Sequence, residues 1–188
     1  FSDDKGKEYL TFLNYRTNQI LFYDLETTDF LFKLNLNSEG PHGVVQPTGL
    51  YVKDLNHIYV SSYVYSGLMR VDTTCHIIQK IPYGITSKGY NVLPSYTPSS
   101  HPYIAPVIID KKIYITQNAI DRFHPIVDTP LSVVIDTVQK SCEDLPLTYG
   151  ILTEKELAIK DPRFSRVFNG KEFIYSFYVS EDIVVTSV

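Results

Sequence analysis

The sequence predicts an all-β fold, a β-propeller present here as a partial propeller of a little over three four-stranded antiparallel blades. Ile, Val, Thr, Tyr and Phe, which are enriched in strands, make up 75 of the 188 residues, whereas Ala occurs three times and Trp is absent. Short apolar runs alternate with turn residues, and they recur in groups of four about 40 to 50 residues apart, as propeller blades do. A barrel or sandwich would also give many short strands, but it need not repeat in fours.

The predicted blade units follow one another along the chain. Each consists of short apolar runs joined by polar hairpins, which is typical of antiparallel strands. Three units and the start of a fourth have the approximate bounds 1–36, 47–82, 104–148 and 164–188. Because closed propellers have roughly four to eight blades, we expect the remainder of the propeller, or a second copy of the chain, to cover the open ends.

In three units the same strand ends in an aspartate: Asp24, Asp72 and Asp136. An aspartate at this position can accept hydrogen bonds from the backbone of the following turn. Matching positions of different blades lie far apart. We therefore interpret these carboxylates as structural rather than as a catalytic cluster.

One short helix is predicted between the third and fourth units. Thr153 and Glu156 have the spacing of a capping box, in which the first side chain caps the helix and the second reaches back. The helix should end before Asp161 and Pro162, because a residue that precedes proline disfavours helical backbone.

The connections between strands fall into two classes by length. If the strands of each blade are counted from the propeller axis outward, the links from first to second and from third to fourth strand share one face and are short. We call this the short-loop face. The opposite, long-loop face carries residues 35–46, 83–103, 117–130 and 145–163. Long connections are uncommon in compact domains unless they serve a function, so any ligand is predicted to bind there.

Arginine, tyrosine and histidine side chains are the candidate ligand-binding residues of the long-loop face, since arginine and tyrosine are enriched at recognition surfaces. They are Arg16, His42, Tyr63, Tyr65, His101, Arg122, His124 and Arg166. No pair of these histidines has metal-ligand spacing, so neither a metal nor another cofactor is predicted. No linear motif such as Gly-x-Ser-x-Gly or His-Glu-x-x-His occurs, and no catalytic residue is assigned.

The predicted core consists of apolar strand residues, because neighbouring blades cover both faces of an inner blade. Its members are Tyr9, Leu10, Phe12, Ile20, Phe22, Leu50, Val52, Ile58, Val60, Ile108, Ile113, Ile115, Val133, Ile135, Ile174 and Val184. Cys75 and Cys142 occupy unequal positions in their units, and blades diverge at the rim. We therefore predict two free thiols rather than a disulfide.

Charge and hydropathy limit the partners. The net charge of −4 argues against nucleic acid, whose phosphates favour a basic surface. The apolar runs are too short for a transmembrane helix. The partner classes that remain are a protein, a peptide or a glycan.

Several segments resemble a Bacteroidetes family of unknown function. They read EYLTFLN (8–14), NQILFYD (18–24), EGPHGV (39–44), FSRVFNG (164–170) and FIYSF (173–177). The resemblance implies a six-bladed, TolB-like propeller in an exported lipoprotein, and therefore an extracytoplasmic location in the periplasm or at the outer membrane. That family has no assigned activity, so the resemblance implies no catalytic residues.

Two functions from different classes fit these observations. The first is a non-catalytic binding or interaction module of the cell envelope that uses the long-loop face. The alternative is an enzyme of the propeller hydrolase, lactonase or lyase type with its site in the central pocket. Converging His, Asp or Glu side chains would favour the enzyme, and a shallow surface of Tyr and Arg would favour binding.

Overall fold

The computed structural model describes residues 1–40, 43–62, 64–65, 67–89, 104–116, 126–158 and 163–188. In this part of the chain the fold is all-β, as predicted, and α1 (Glu154–Ala158) is the one α-helix. The strands are β1 (Tyr9–Asn14), β2 (Gln19–Asp24), β3 (Phe30–Asn35), β4 (Pro47–Asp54), β5 (His57–Ser62), β6 (Gly67–Val71), β7 (Ile77–Pro82), β8 (Val107–Ile109), β9 (Lys112–Thr116), β10 (Ser132–Asp136), β11 (Ser141–Asp144), β12 (Phe164–Phe168), β13 (Glu172–Phe177) and β14 (Ile183–Ser187).

The strands form four sheets, and each sheet is an antiparallel meander of strands that follow one another in the chain. Sheet 1 contains β1–β3, sheet 2 contains β4–β7, sheet 3 contains β8–β11 and sheet 4 contains β12–β14. This is the succession of blade-like sheets that the repeat predicts.

Sheet 1 has a short additional pairing from the first two residues. Ser2 forms an isolated antiparallel bridge with Glu8. The N-terminal ammonium of Phe1 donates to the Tyr9 carbonyl at 3.0 Å, and the Tyr9 amide donates to the Phe1 carbonyl at 2.8 Å. The two rings are stacked, with centroids 4.8 Å apart. Residues 1–2 thus extend sheet 1 beyond the edge of β1.

The chain divides into two compact units. Unit 1 contains sheets 1 and 2, and unit 2 contains sheets 3 and 4. Alternate residues of a strand point to opposite faces of its sheet, and in unit 1 one face of each sheet contributes to a shared apolar core. Its fully buried members include Ile20 and Phe22 of β2 and Ile58 and Val60 of β5.

The core of unit 2 is more aromatic. Tyr114 of β9, Phe173 and Tyr175 of β13, and Tyr149 are buried in it. The ring centroids of Tyr114 and Phe173 lie 5.4 Å apart, a separation at which aromatic pairs contribute beyond the area they bury.

Most of the predicted core is buried. The fully buried members are Ile20, Phe22, Leu50, Val52, Ile58, Val60, Ile113, Ile115, Val133 and Ile135. The half-buried members are Tyr9, Ile108, Ile174 and Val184. The prediction is wrong for Leu10 and Phe12, which are exposed. They pair with Tyr23 and Leu21 and so lie on the face of sheet 1 that points away from the core, because the side-chain period of a strand is two.

Both cysteines are buried free thiols, as predicted. Desolvation raises the pKa of Cys142 to about 12 and also raises the pKa of Cys75. Because the thiolate is the reactive form, neither cysteine has the character of a nucleophile at neutral pH.

The helix α1 begins where the capping box predicts. The Glu156 amide donates to Oγ1 of Thr153 at 3.3 Å, and Oε2 of Glu156 accepts from the amide and the hydroxyl of Thr153, both at 2.7 Å. Asp161 and Pro162 lie outside the described residues. None of the helices in the described ranges has the length and apolar character needed to cross a membrane.

Candidate functional site

Aspartates close the short hairpins, as the sequence predicts. Oδ1 of Asp24 accepts from the amides two and three residues later at 3.0 and 3.1 Å, and Oδ1 of Asp136 does the same at 2.8 Å. Oδ1 of Asp72 accepts from the amides of Thr74 and His76 at 2.9 and 3.0 Å. The Thr74 hydroxyl lowers the pKa of Asp72, and the turn amides lower the pKa of Asp136. These three carboxylates therefore have a structural role, since each accepts hydrogen bonds from the turn that follows it.

Five of the eight candidate ligand-binding residues lie outside the described residues. They are His42, Tyr63, His101, Arg122 and His124. Ligand binding by these five residues stays a prediction. The other three are Arg16 and Tyr65, in hairpin connections of unit 1, and Arg166, in β12 of unit 2.

Arg16 and Tyr65 differ in exposure. Arg16 is exposed in the turn between β1 and β2, whereas Tyr65 is half-buried in the turn between β5 and β6. The Tyr65 amide donates to Oγ of Ser62 at 3.2 Å, and Nζ of Lys80 lies 5.8 Å from the centroid of the Tyr65 ring. A Cβ atom at Gly67 would clash with the backbone oxygen of Ile81 and would lie 2.6 Å from Cε1 of that ring, so the close approach requires glycine. Tyr65 is therefore held by its own hairpin, while Arg16 is accessible.

The prediction that Arg166 lies on a ligand-facing surface is wrong. Only 2% of this residue is exposed, because β12 directs the side chain toward sheet 3. Nη1 donates to Oγ of Ser132 at 3.0 Å, and Nη2 donates to the carbonyls of Ala105 and Tyr114 at 3.1 and 3.0 Å. The guanidinium carbon lies 4.7 Å from the centroid of the Phe173 ring.

Arg166 is a buried cation whose hydrogen-bond acceptors are all neutral. Its Nε atom has no hydrogen-bond partner in the described part of the chain. Desolvation lowers the pKa of Arg166, although a guanidinium stays charged in proteins. The Tyr175 hydroxyl extends the network by donating to Oγ of Ser132 at 3.1 Å. Arg166 therefore links sheet 4 to sheet 3 inside the core.

A groove opens on the long-loop face of unit 2. The start of α1 forms one wall, the turn between β13 and β14 forms the other, and the volume is about 510 Å³. Its lining residues are Thr153, Lys155, Glu156, Val179, Ser180, Glu181 and Asp182. The sequence predicted that residues 145–163 contribute to a binding face. It did not predict that the β13–β14 turn contributes, because the binding face was inferred from long connections and this turn is short.

Carboxylates dominate the electrostatics of this groove. Thr153, and to a smaller extent Ser180, lower the pKa of Glu156 by hydrogen bonding, so Glu156 is anionic at neutral pH. Glu181 and Asp182 are exposed on the second wall. This lining favours ligands that donate hydrogen bonds. Within the described ranges, no three His, Cys, Asp or Glu side chains are placed to hold a metal ion.

An exposed tyrosine lies beside the groove. Tyr178 directly precedes the lining residue Val179, and its amide donates to the Arg163 carbonyl at 3.1 Å. The guanidinium carbon of Arg163 lies 4.7 Å from the centroid of the Tyr178 ring. An aromatic ring at the rim of a polar groove can contact a sugar ring or a peptide side chain.

Comparison with known proteins gives a family and a fold. Residues 1–187 match the family model described as "Domain of unknown function (DUF4221)". No curated protein gives a significant match. Among solved structures, the chain is similar to a member of the DUF4221 family from Bacteroides vulgatus, with 17% identity and a TM-score of 0.68. The match covers 99% of this chain and 56% of that chain, so this chain spans little more than half the length of that relative.

Two further structures are more distant. Hydrazine synthase from Kuenenia stuttgartiensis has 15% identity and a TM-score of 0.42, over 99% of this chain and 48% of that chain. BamB from Moraxella catarrhalis has 10% identity and a TM-score of 0.40, over 100% of this chain and 62% of that chain. TM-scores this low support no inference about this chain.

Proposed function

The chain belongs to the DUF4221 family, whose function is unknown, and from that premise we propose that it is a non-catalytic binding module of the cell envelope. Its ligand binds on the long-loop face of unit 2, between α1 and the β13–β14 turn. The observation that carries the proposal is the groove itself, an open volume of about 510 Å³ whose lining combines three carboxylates and two hydroxyls with apolar surface. The envelope location rests on the sequence resemblance to exported lipoproteins.

The ligand class that this groove fits is a peptide or a glycan. The hydroxyls of Thr153 and Ser180 and the carboxylates of Glu181 and Asp182 line the groove and can accept hydrogen bonds from amides, amines and sugar hydroxyls. The Tyr178 ring, exposed next to the groove, adds an apolar surface. Small-molecule sites enclose most of their ligand, whereas a groove open to solvent suits one part of a longer chain.

The test is a screen of the 188-residue chain against a glycan array and a displayed peptide library, followed by affinity measurement on the strongest hit. Glu181→Lys reverses a charge on the groove wall. Glu26→Lys is the matched control, since Glu26 is also an exposed turn carboxylate but lies on the short-loop face. We expect Glu181→Lys to weaken binding about ten-fold or more and Glu26→Lys to leave it unchanged.

Two outcomes would contradict this site. One is the absence of any hit in both screens. The other is a hit whose affinity falls equally in the two variants, because the groove would then contribute nothing specific to binding. A glycan hit and a peptide hit both support the groove, and they separate its two ligand classes.

A further inference from the structure

The hairpin between β12 and β13 contains the one Asn-Gly pair of the sequence, Asn169 and Gly170. Oδ1 of Asn169 accepts from the amides of Lys171 and Glu172 at 2.9 and 2.8 Å. The Asn169 amide donates to the Glu172 carbonyl at 3.1 Å. All of these bonds lie within residues 169–172, so the geometry of this turn does not depend on contacts with other sheets.

Asn169 accepts hydrogen bonds in the way that aspartates do in other hairpins. Oδ1 of Asp24 and Oδ1 of Asp136 also accept from the amides two and three residues later. A side-chain amide oxygen and a carboxylate oxygen can accept the same hydrogen bonds, and a charged acceptor makes them stronger. An aspartate at residue 169 would therefore fit this turn without a change of the backbone.

Gly170 leaves the backbone beside Asn169 unobstructed. Its φ of 97° lies in the left-handed region, which glycine adopts without strain. A Cβ atom at Gly170 would meet no atom of the described chain within 4 Å apart from its neighbours in sequence. Asn169 and Gly170 are both exposed. No side chain therefore separates the Gly170 nitrogen or the solvent from the side-chain carbonyl of Asn169.

We propose that Asn169 is a site of spontaneous deamidation and that the turn retains the aspartate that forms. The Gly170 nitrogen bonds to Cγ of Asn169 and loses its proton to water, and Nδ2 leaves as ammonia. Water then adds to one carbonyl of the resulting cyclic imide and breaks the bond between that carbonyl and the Gly170 nitrogen. Opening at the side-chain carbonyl gives aspartate, and opening at the main-chain carbonyl gives isoaspartate.

The turn acts on both steps. Negative charge develops on Oδ1 of Asn169 when the Gly170 nitrogen attacks, and the two turn amides already donate to this oxygen. Donors placed where charge develops lower the barrier. Aspartate restores the same hydrogen bonds. Isoaspartate lengthens the backbone between β12 and β13 and so opposes the register that places Phe168 opposite Phe173, and it can close to the imide again. Aspartate is therefore the product that accumulates.

Peptide mapping by mass spectrometry tests the proposal on the folded chain, aged at mildly alkaline pH. We expect Asn169 to lose its amide at least about ten-fold faster than Asn14, since a side chain on the following residue hinders the attacking nitrogen. Asn14 is the internal control, because its Oδ1 also accepts two turn amides, at 3.2 and 3.3 Å, but Tyr15 follows it. Equal rates at the two asparagines, or an unreacted Asn169, overturn the proposal.

Two variants exchange the following residue between these turns. Gly170→Ala should slow the reaction at Asn169, and Tyr15→Gly should accelerate it at Asn14. The second variant keeps the test informative if Gly170→Ala fails to fold. A rate at Asn14 that Tyr15→Gly leaves unchanged would contradict the role of the glycine. The site lies at the opposite end of β13 from the ligand groove and does not depend on it.

The ratio of the two products tests the role of the turn. We expect a larger share of aspartate at Asn169 in the folded chain than in the same chain aged in urea, where no turn holds the product. Chromatographic retention and labelling by an isoaspartate methyltransferase distinguish the products. Asn169→Asp should give a urea midpoint at neutral pH equal to that of the native chain or higher. An equal product ratio in the folded and the unfolded chain, or a lower midpoint for Asn169→Asp, would overturn the retention of aspartate.

Discussion

Units 1 and 2 are built from the same kind of sheet, but their cores are stabilised differently. Apolar packing holds unit 1, and the buried polar side chains described there, Ser61 and Ser62, are uncharged. Unit 2 buries Arg166 and hydrogen bonds it to neutral groups of sheet 3. An apolar core tolerates changes that conserve volume, whereas a buried cation requires its acceptors at fixed positions. The same repeat can thus join two sheets by packing alone or by directed hydrogen bonds.

Arg166→Ala should have the largest effect, a loss of about 3 to 5 kcal/mol in the free energy of unfolding. The substitution removes the guanidinium donors from Oγ of Ser132 and from the Tyr114 carbonyl, and it opens a cavity. Arg166→Lys should lower the free energy of unfolding almost as much, because an ammonium cannot reproduce the fork of a guanidinium. Urea unfolding followed by far-UV circular dichroism measures both variants.

The control for Arg166 is Arg70→Ala in unit 1. Arg70 is half-buried in β6, opposite Tyr59 of β5, so we expect a loss of about 1 kcal/mol. Hydrogen exchange read by mass spectrometry should show that Arg166→Ala lowers protection in unit 2 and leaves unit 1 protected. If Arg70→Ala and Arg166→Ala lowered the free energy of unfolding equally, the buried cation would contribute no more to stability than a half-buried arginine.

Arg166 also shows where inference from sequence stops. The hairpins were predictable because their hydrogen bonds are local, as between Asp24 and the amide of Thr27, three residues away. Arg166 donates to Ser132 and Tyr114, which are 34 and 52 residues away. No periodicity indicates such acceptors, and an arginine in a strand is then interpreted as a surface residue.

The groove is a second example of the same limit. The capping box of Thr153 and Glu156 is a local motif, and it predicted the start of α1. The second wall is the β13–β14 turn, which lines the same groove as Glu156. The proximity of the two walls depends on how the connection before β12 folds back, which no short motif specifies. The sequence therefore predicted one wall of the candidate site and missed the other.

Ile58→Ala should give the next largest effect, and it tests the apolar packing of unit 1. Ile58 is fully buried in the core of unit 1, and its truncation should cost about 2 to 4 kcal/mol through lost transfer energy and a cavity. Ile58→Val keeps most of the volume and should cost about 0.5 to 1.5 kcal/mol. The same urea titrations measure both. Ile78→Ala is the control, because Ile78 is exposed on β7; a cost as large as that of Ile58→Ala would contradict the assignment of the core.

The smallest effect concerns the aspartate turns that both units share. The folded-state pKa values of Asp72 in unit 1 and Asp136 in unit 2 lie below the ordinary value of 3.8. A carboxyl whose pKa is lowered by folding stabilises the protein fully above its unfolded pKa, and this contribution is lost as the pH falls through the folded pKa.

Asp72→Asn keeps a side-chain oxygen for the turn amides but cannot titrate. The urea midpoint of Asp72→Asn should therefore fall less steeply than that of the native chain between about pH 5 and about pH 2.5. Asp136→Asn should change the slope in the same direction, because in both hairpins Oδ1 of the aspartate at the strand end accepts two amides of the following turn. A slope that changes in one variant alone would mean that the two turns are not equivalent.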